Sequence, residues 1–223
     1  VEAIVSGAAA YGTRIGIAAA VMLVALIGGR VVPSFTANWL RPRGPGAMPV
    51  PFDRFDGVVI GASAIALALW VVLPEARAVG AVLLGAGLLQ TARLWRWAGW
   101  RTMGESLVLV LHVAYLFVPL GFLLLGATLL GVLSIPASAA LHAWTVGALG
   151  LMTLAIMTRA SLGHTGRALI AGCGQQIVYA GAVIAALGRI AMGFGRAEIV
   201  FLHIAMLGWL VASPVLFYVA VAF

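Results

Sequence analysis

Long apolar runs dominate this chain, and polar residues do not alternate within them. A helix needs about 20 apolar residues to cross a ~30 Å hydrocarbon core. Seven stretches meet that need, at 10–31, 57–73, 77–95, 106–131, 137–158, 168–188 and 198–222. Barrel strands would show a two-residue alternation, which Val58–Leu73 and Leu107–Leu125 lack. Lipid requires each backbone polar group to be satisfied inside the protein. The pattern therefore predicts an all-α fold, a polytopic transmembrane helical bundle of about seven helices, with 1–223 as a single integral membrane domain.

Composition supports this and narrows the partners. Of 223 residues, 64% are hydrophobic and 9% charged, far from the roughly one-quarter charge of soluble domains. The 13 basic residues are all arginines and the acidic ones number 6, giving a net charge of +7. The arginines punctuate apolar runs rather than forming a basic face, so nucleic acid is set aside. A lone cysteine, Cys173, excludes an internal disulfide and multi-cysteine metal sites.

The arginines also orient the bundle. Arg30, Arg41, Arg43 and Arg54, then Arg93, Arg96 and Arg101, then Arg159 and Arg167 share one side of the membrane. Arg14, Arg77, Arg189 and Arg196 are on the other. Nine against four assigns the first side to the cytoplasm, with the N-terminus of this chain periplasmic and the C-terminus cytoplasmic. The connection Pro33–Phe55 holds five of the nine prolines and is expected to be irregular and to lie at the interface. Trp95, Trp97 and Trp100 beside Arg93, Arg96 and Arg101 read as an aromatic belt with snorkelling arginines. Gly12–Gly16 and Gly57–Gly61 have a spacing that lets helices approach closely.

Ionisable groups within spans are costly and mark candidate functional sites. Imidazole ligates both haem and copper, so the four histidines lead. His112 is placed about 9 Å from the cytoplasmic end of span four, while His142 and His203 lie roughly 6–8 Å from the external ends of spans five and seven. His164 falls in a short loop between Arg159 and Arg167. Depth alone pairs His142 with His203, and a packed histidine bonded to a neighbouring helix is an equal alternative for each. Pro119 follows His112 on nearly the same face, and Pro214 follows His203 more loosely. Met206 could offer a thioether or simply fill space. Gln175, Gln176 and Tyr179 are polar groups of span six that suit either ligand orientation or helix–helix bonding. Every acidic residue sits at a span end or in a loop, which disfavours an ion-coupled carrier. Phosphate-binding glycine loops, zinc helices and nucleophile elbows are missing too.

Three segments carry a family resemblance: HAWTVGALGLMTLAIMTRASLGHTGR (His142–Arg167), GGRVVPSFTANWL (Gly28–Leu40) and LHVAYLFVPLG (Leu111–Gly121). They resemble NnrS proteins, haem- and copper-containing bacterial inner-membrane proteins of nitric oxide metabolism, nitrosative-stress resistance and denitrification. The resemblance implies histidine-ligated haem, copper as a further cofactor, and nitric oxide or a related small molecule as ligand. His112, His142 and His164 fall inside family-like segments, whereas His203 rests on geometry alone. Arg159 and Arg167 flank His164 and would suit haem propionates; setting topology is their other role. Family members are usually longer, so the chain is expected to be a C-terminal portion. The resemblance does not decide whether a reaction is turned over. The competing readings are a small-solute or metal permease lined by the kinked spans, and a structural or sensor subunit.

Overall fold

The computed structural model describes residues 10–195 and 197–213; Arg196 and Pro214, both used above, lie outside them. Among the described residues, six helices are long and apolar enough to span a membrane: α1 (Ala10–Arg43), α2 (Arg54–Val72), α3 (Arg77–Trp95), α4 (Ser106–Leu129), α5 (Ala137–His164) and α6 (Cys173–Met192). A seventh, α7 (Glu198–Val211), is apolar but shorter, and the expected span continues past the described residues. No strand occurs among the described residues. The protein is an all-α, multi-pass membrane bundle.

Local chemistry sets several helix ends. Asp53 and Asp56 form a capping box at α2, each carboxylate accepting the other's backbone N–H (3.3 and 3.2 Å). This satisfies two donors that a helix start otherwise leaves free. Pro74 disfavours helical backbone at Leu73, just after α2 ends. Glu105 caps α4 by accepting from the Leu107 N–H (3.1 Å).

Close crossings depend on glycine. A side-chain carbon on Gly80 would lie 2.9 Å from the Gly126 carbonyl oxygen, and one on Gly126 would lie 2.8 Å from that of Gly80, so α3 and α4 touch backbone to backbone. Gly181 and Gly208 do the same for α6 and α7. Gly16, Gly57 and Gly61 face open space instead, so the spacing noted in the sequence does not mark these contacts. Trp144 of α5 packs over Gly121 and donates its indole N–H to the Val118 carbonyl (3.0 Å), beside Pro119. Phe122 and Trp70 meet the same indole edge-on.

Polar groups bind the first four helices together. Arg93 is 0% exposed. Its Nε donates to Asp56 (2.7 Å), and Nη1 donates to the Ala25 carbonyl (2.9 Å) and the Tyr115 hydroxyl (2.8 Å). Tyr115 donates onward to Gln90 Oε1 (2.9 Å), Gln90 to Ser63 (2.9 Å), and Ser63 to the Val59 carbonyl (2.8 Å). Each link donates in the same direction, so polarisation runs from the guanidinium to the α2 backbone.

This corrects three expectations. Arg93 does not snorkel, and Trp97 is buried against Tyr115 rather than lying in a belt (centroids 4.6 Å apart). Asp56 sits at a helix end as expected, and there it is buried and committed to Arg93. The connection expected from Pro33 onward is helical to Leu40, with Pro33 inside. Pro33 cannot donate to the Gly29 carbonyl; the Arg93 guanidinium lies against Gly29, in space any side chain would fill. A π-helical turn at Val24–Gly28 comes just before and carries the Ala25 carbonyl that Arg93 uses.

Beyond α1, the loop is pinned from the α3–α4 connection. Arg101 donates to the Ala47 carbonyl (2.8 Å), the Val50 N–H donates to the Arg96 carbonyl (3.0 Å), and Arg96 pairs with Asp53. The Arg96 hydrogen bond is the main reason the Asp53 carboxyl is lowered from 3.8 to about 2.

Two measurements follow. Asp56→Ala or Arg93→Ala should each destabilise the folded protein by about 3–5 kcal/mol, because the surviving charge stays buried. Asp56→Leu with Arg93→Met should recover much of that, so a thermal-denaturation cycle in detergent showing strict additivity would contradict the pair. Asp53 has a depressed folded value, so its pairing with Arg96 is intact above about pH 4 and is lost as pH falls through about 2. A carboxyl-carbon titration should find a midpoint near 2; one near 4 would show that Arg96 does not hold it.

Candidate functional site

Buried His112 and half-buried His142 have opposite hydrogen-bond roles. His112, on α4, is 7% exposed and has Nε2 2.8 Å from the Thr36 hydroxyl of α1. That hydroxyl spends its only hydrogen on the Val32 carbonyl (2.8 Å). It must therefore accept from His112, placing the proton on Nε2 and the lone pair on Nδ1. Nδ1 is buried and unpartnered, and a side chain on Gly99 would lie 2.6 Å from it. Trp97 packs edge-on against the ring. His112 thus ties α4 to α1, with its lone pair covered by the loop at Gly99. An apolar cavity of about 290 Å³ adjoins it, lined by Trp95, Trp100 and Met103 among others.

His142 sits where α5 passes into a π-helical segment, Ala143–Gly150. Arg189 of α6 donates to its Nε2 from Nε (3.1 Å) and Nη2 (2.8 Å). A guanidinium has no acceptor, so Nε2 carries the lone pair and Nδ1 the proton. Nδ1 faces the Ser138 backbone one turn back, short of a full hydrogen bond. Here the lone pair faces the Arg189 guanidinium, on a ring that is only half-buried. Arg189 has no carboxylate within ion-pair distance among the described residues.

His112 and His142 follow the starts of two antiparallel helices, so they lie on the order of 20 Å apart along the membrane normal. They cannot share one iron. His203 is exposed on α7 with its ring nitrogen Nδ1 2.7 Å from the Ile199 carbonyl, and Met206 is exposed one turn on. His142 bonds to Arg189, and His203 to the Ile199 carbonyl of its own helix. His164 is the exposed last residue of α5, on the helix and not in a loop, because α5 continues past Arg159. Arg159 stacks over Phe35 of α1 (4.0 Å to the ring centroid), while Arg167 is exposed beyond α5. Among the described residues, no three His, Cys, Asp or Glu side chains gather as a metal ion would need.

Arg189 and Thr36 are the residues that sequence reasoning missed. Arg189 was read only as a topology residue, although it sits near the end of span six at the depth of His142. These donors suit one imidazole ligand for a macrocycle at His142, with Arg189 near for its carboxylates. They do not suit a copper ion held by several protein groups.

Fold and site define a multi-pass α-helical membrane protein with a polar histidine–arginine pair near one end. The family model described as NnrS protein matches residues 2–222, and the chain belongs to the NnrS family. No curated protein and no solved structure matches it.

The assignment of His112 as a tie is testable. Thr36→Val leaves the His112 Nε2–H without an acceptor and should cost about 1–3 kcal/mol. His112→Ala should remove any further effect of Thr36→Val in a denaturation cycle; an undiminished effect would separate the two residues.

Proposed function

We propose that this chain is a haem-binding protein of the bacterial inner membrane that serves the response to nitric oxide, with His142 as the residue that would hold the haem. Family membership supports the nitric oxide role. The observation that carries the ligand choice is the lone pair on Nε2 of half-buried His142, which among the described residues is engaged by the Arg189 guanidinium. Bound haem would supply an iron able to take up nitric oxide. The protein's part is to present Nε2, keep the proton on Nδ1 and place a guanidinium beside the propionates. His112 is a less suitable ligand, because Thr36 engages one nitrogen and Gly99 covers the other. His164 and His203 are exposed, and Arg159 and Arg167 belong to the opposite side of the bundle from His142. For copper, the other cofactor of the family, no three His, Cys, Asp or Glu side chains gather among the described residues. The reading places the arginine-rich side in the cytoplasm.

The test is spectroscopic. Protein purified in mild detergent should show a haem band in reduced-minus-oxidised and pyridine-haemochrome spectra, and nitric oxide should shift it. His142→Ala should abolish the band and His112→Ala should keep it in whatever protein remains folded. Arg189→Leu should weaken haem retention about 10–100-fold. A folded wild-type protein without haem after reconstitution would end the proposal. An unchanged band in His142→Ala would end the ligand assignment only.

A further inference from the structure

We propose that the groove between the outer part of α1 and the segment Pro49–Phe52 is a binding site for the phosphate of an anionic membrane lipid, with Arg30 and Arg41 as its ligands. The length of α1 is the first reason. Its 34 residues reach about 51 Å, well beyond a ~30 Å hydrocarbon core. The surplus lies on the arginine-rich side, because Arg93, near the end of α3, meets α1 at Ala25 and Gly29. Arg30 therefore stands at the edge of the hydrocarbon, where lipid phosphates begin.

From there Arg30, Pro33, Ser34, Ala37 and Arg41 recur at helical spacing and form one face. That face is one wall of a cavity of about 440 Å³, and Pro49–Phe52 is the other. The second wall is held in place by Arg101 on the Ala47 carbonyl, the Val50 N–H on the Arg96 carbonyl, and the Arg96–Asp53 pair. The groove is thus built before any ligand arrives.

Its charge is uncompensated. Arg30 lies over the Phe52 ring (5.2 Å to the centroid), and Arg41 donates to Asn38 Oδ1 (3.1 Å). Neither meets a carboxylate among the described residues, whose three ion-pair contacts use Arg93 and Arg96. A guanidinium fork matches phosphate oxygens in pairs, and two unbalanced cations favour a headgroup with net negative charge. Free phosphate shares that chemistry, but the placement at the hydrocarbon edge and the apolar wall of Pro33, Val50 and Phe52 favour the lipid.

Native mass spectrometry of the full chain in neutral detergent tests this, with phosphatidylglycerol and phosphatidylcholine of matched acyl chains. Wild type should retain phosphatidylglycerol about tenfold better. Arg30→Gln with Arg41→Gln should lose that preference, while the control pair Arg54→Gln with Arg77→Gln keeps it. Arg41→Gln alone, an exposed change that places little burden on folding, should lose part of it. Equal retention of both lipids by wild type overturns the proposal, as does a preference that survives the groove variants or is lost equally in the control pair. Displacement of the lipid by millimolar inorganic phosphate would overturn the lipid as occupant.

Discussion

A full positive charge buried among four helices is the constraint on which much of the bundle turns. Arg93 could not stay there alone, since an unpaired charge in an apolar interior costs several kcal/mol. Three of its five N–H groups are placed by three different helices: Asp56 from α2, the Ala25 carbonyl from α1 and the Tyr115 hydroxyl from α4. Each partner brings a local consequence. The Ala25 carbonyl belongs to a π-helical turn, Gly29 must lack a side chain, and Tyr115 needs the Gln90–Ser63 relay to place its own proton. One guanidinium therefore accounts for features that look unrelated along the chain.

The membrane fold was legible because crossing lipid demands long apolar runs, and α2, α3 and α4 lie close to the expected spans. The errors in helix ends share a cause. Hydrophobicity marks where lipid ends, whereas a helix ends where its hydrogen bonds do. So α1 continues through Pro33 to Leu40 and α5 continues to His164, both beyond the apolar segment. The Trp95–Arg101 cluster failed for another reason. Arg93 and Trp97 lie one helical turn apart and face inward, while Trp95 and Trp100 face outward, and composition mixes the two sets. A usable signal did exist: Asp56 near the start of α2 and Arg93 near the end of α3 are opposite charges at one depth of antiparallel helices.

The site was legible in part for similar reasons. Histidines stand out in an apolar chain, so candidates were easy to find and hard to rank. Ranking needs the partner of each ring nitrogen, and partners come from other helices: Thr36 of α1 for His112, Arg189 of α6 for His142. Depth along a helix can be counted from sequence, but the direction a ring faces depends on how neighbouring helices rotate. That is why depth alone pairs His142 with His203, whereas their hydrogen bonds go to Arg189 and to the Ile199 carbonyl.

The two ends of the bundle handle arginine differently, and this bears on what each can bind. At the arginine-rich side, Arg93 and Arg96 are matched by Asp56 and Asp53, so the contact between α2 and the end of α3 is electrostatically closed, unlike the groove of Arg30 and Arg41. At the opposite side, Arg189 meets, among the described residues, an imidazole nitrogen that offers a lone pair but no negative charge. The hydrogen bond is satisfied while the cation is not neutralised. A ligand combining a metal with carboxylates would accept the imidazole lone pair and balance the guanidinium at once. His112 lacks this combination, because its partners, Thr36 and Gly99, are neutral and already engaged in joining α1 and the α3–α4 connection to α4.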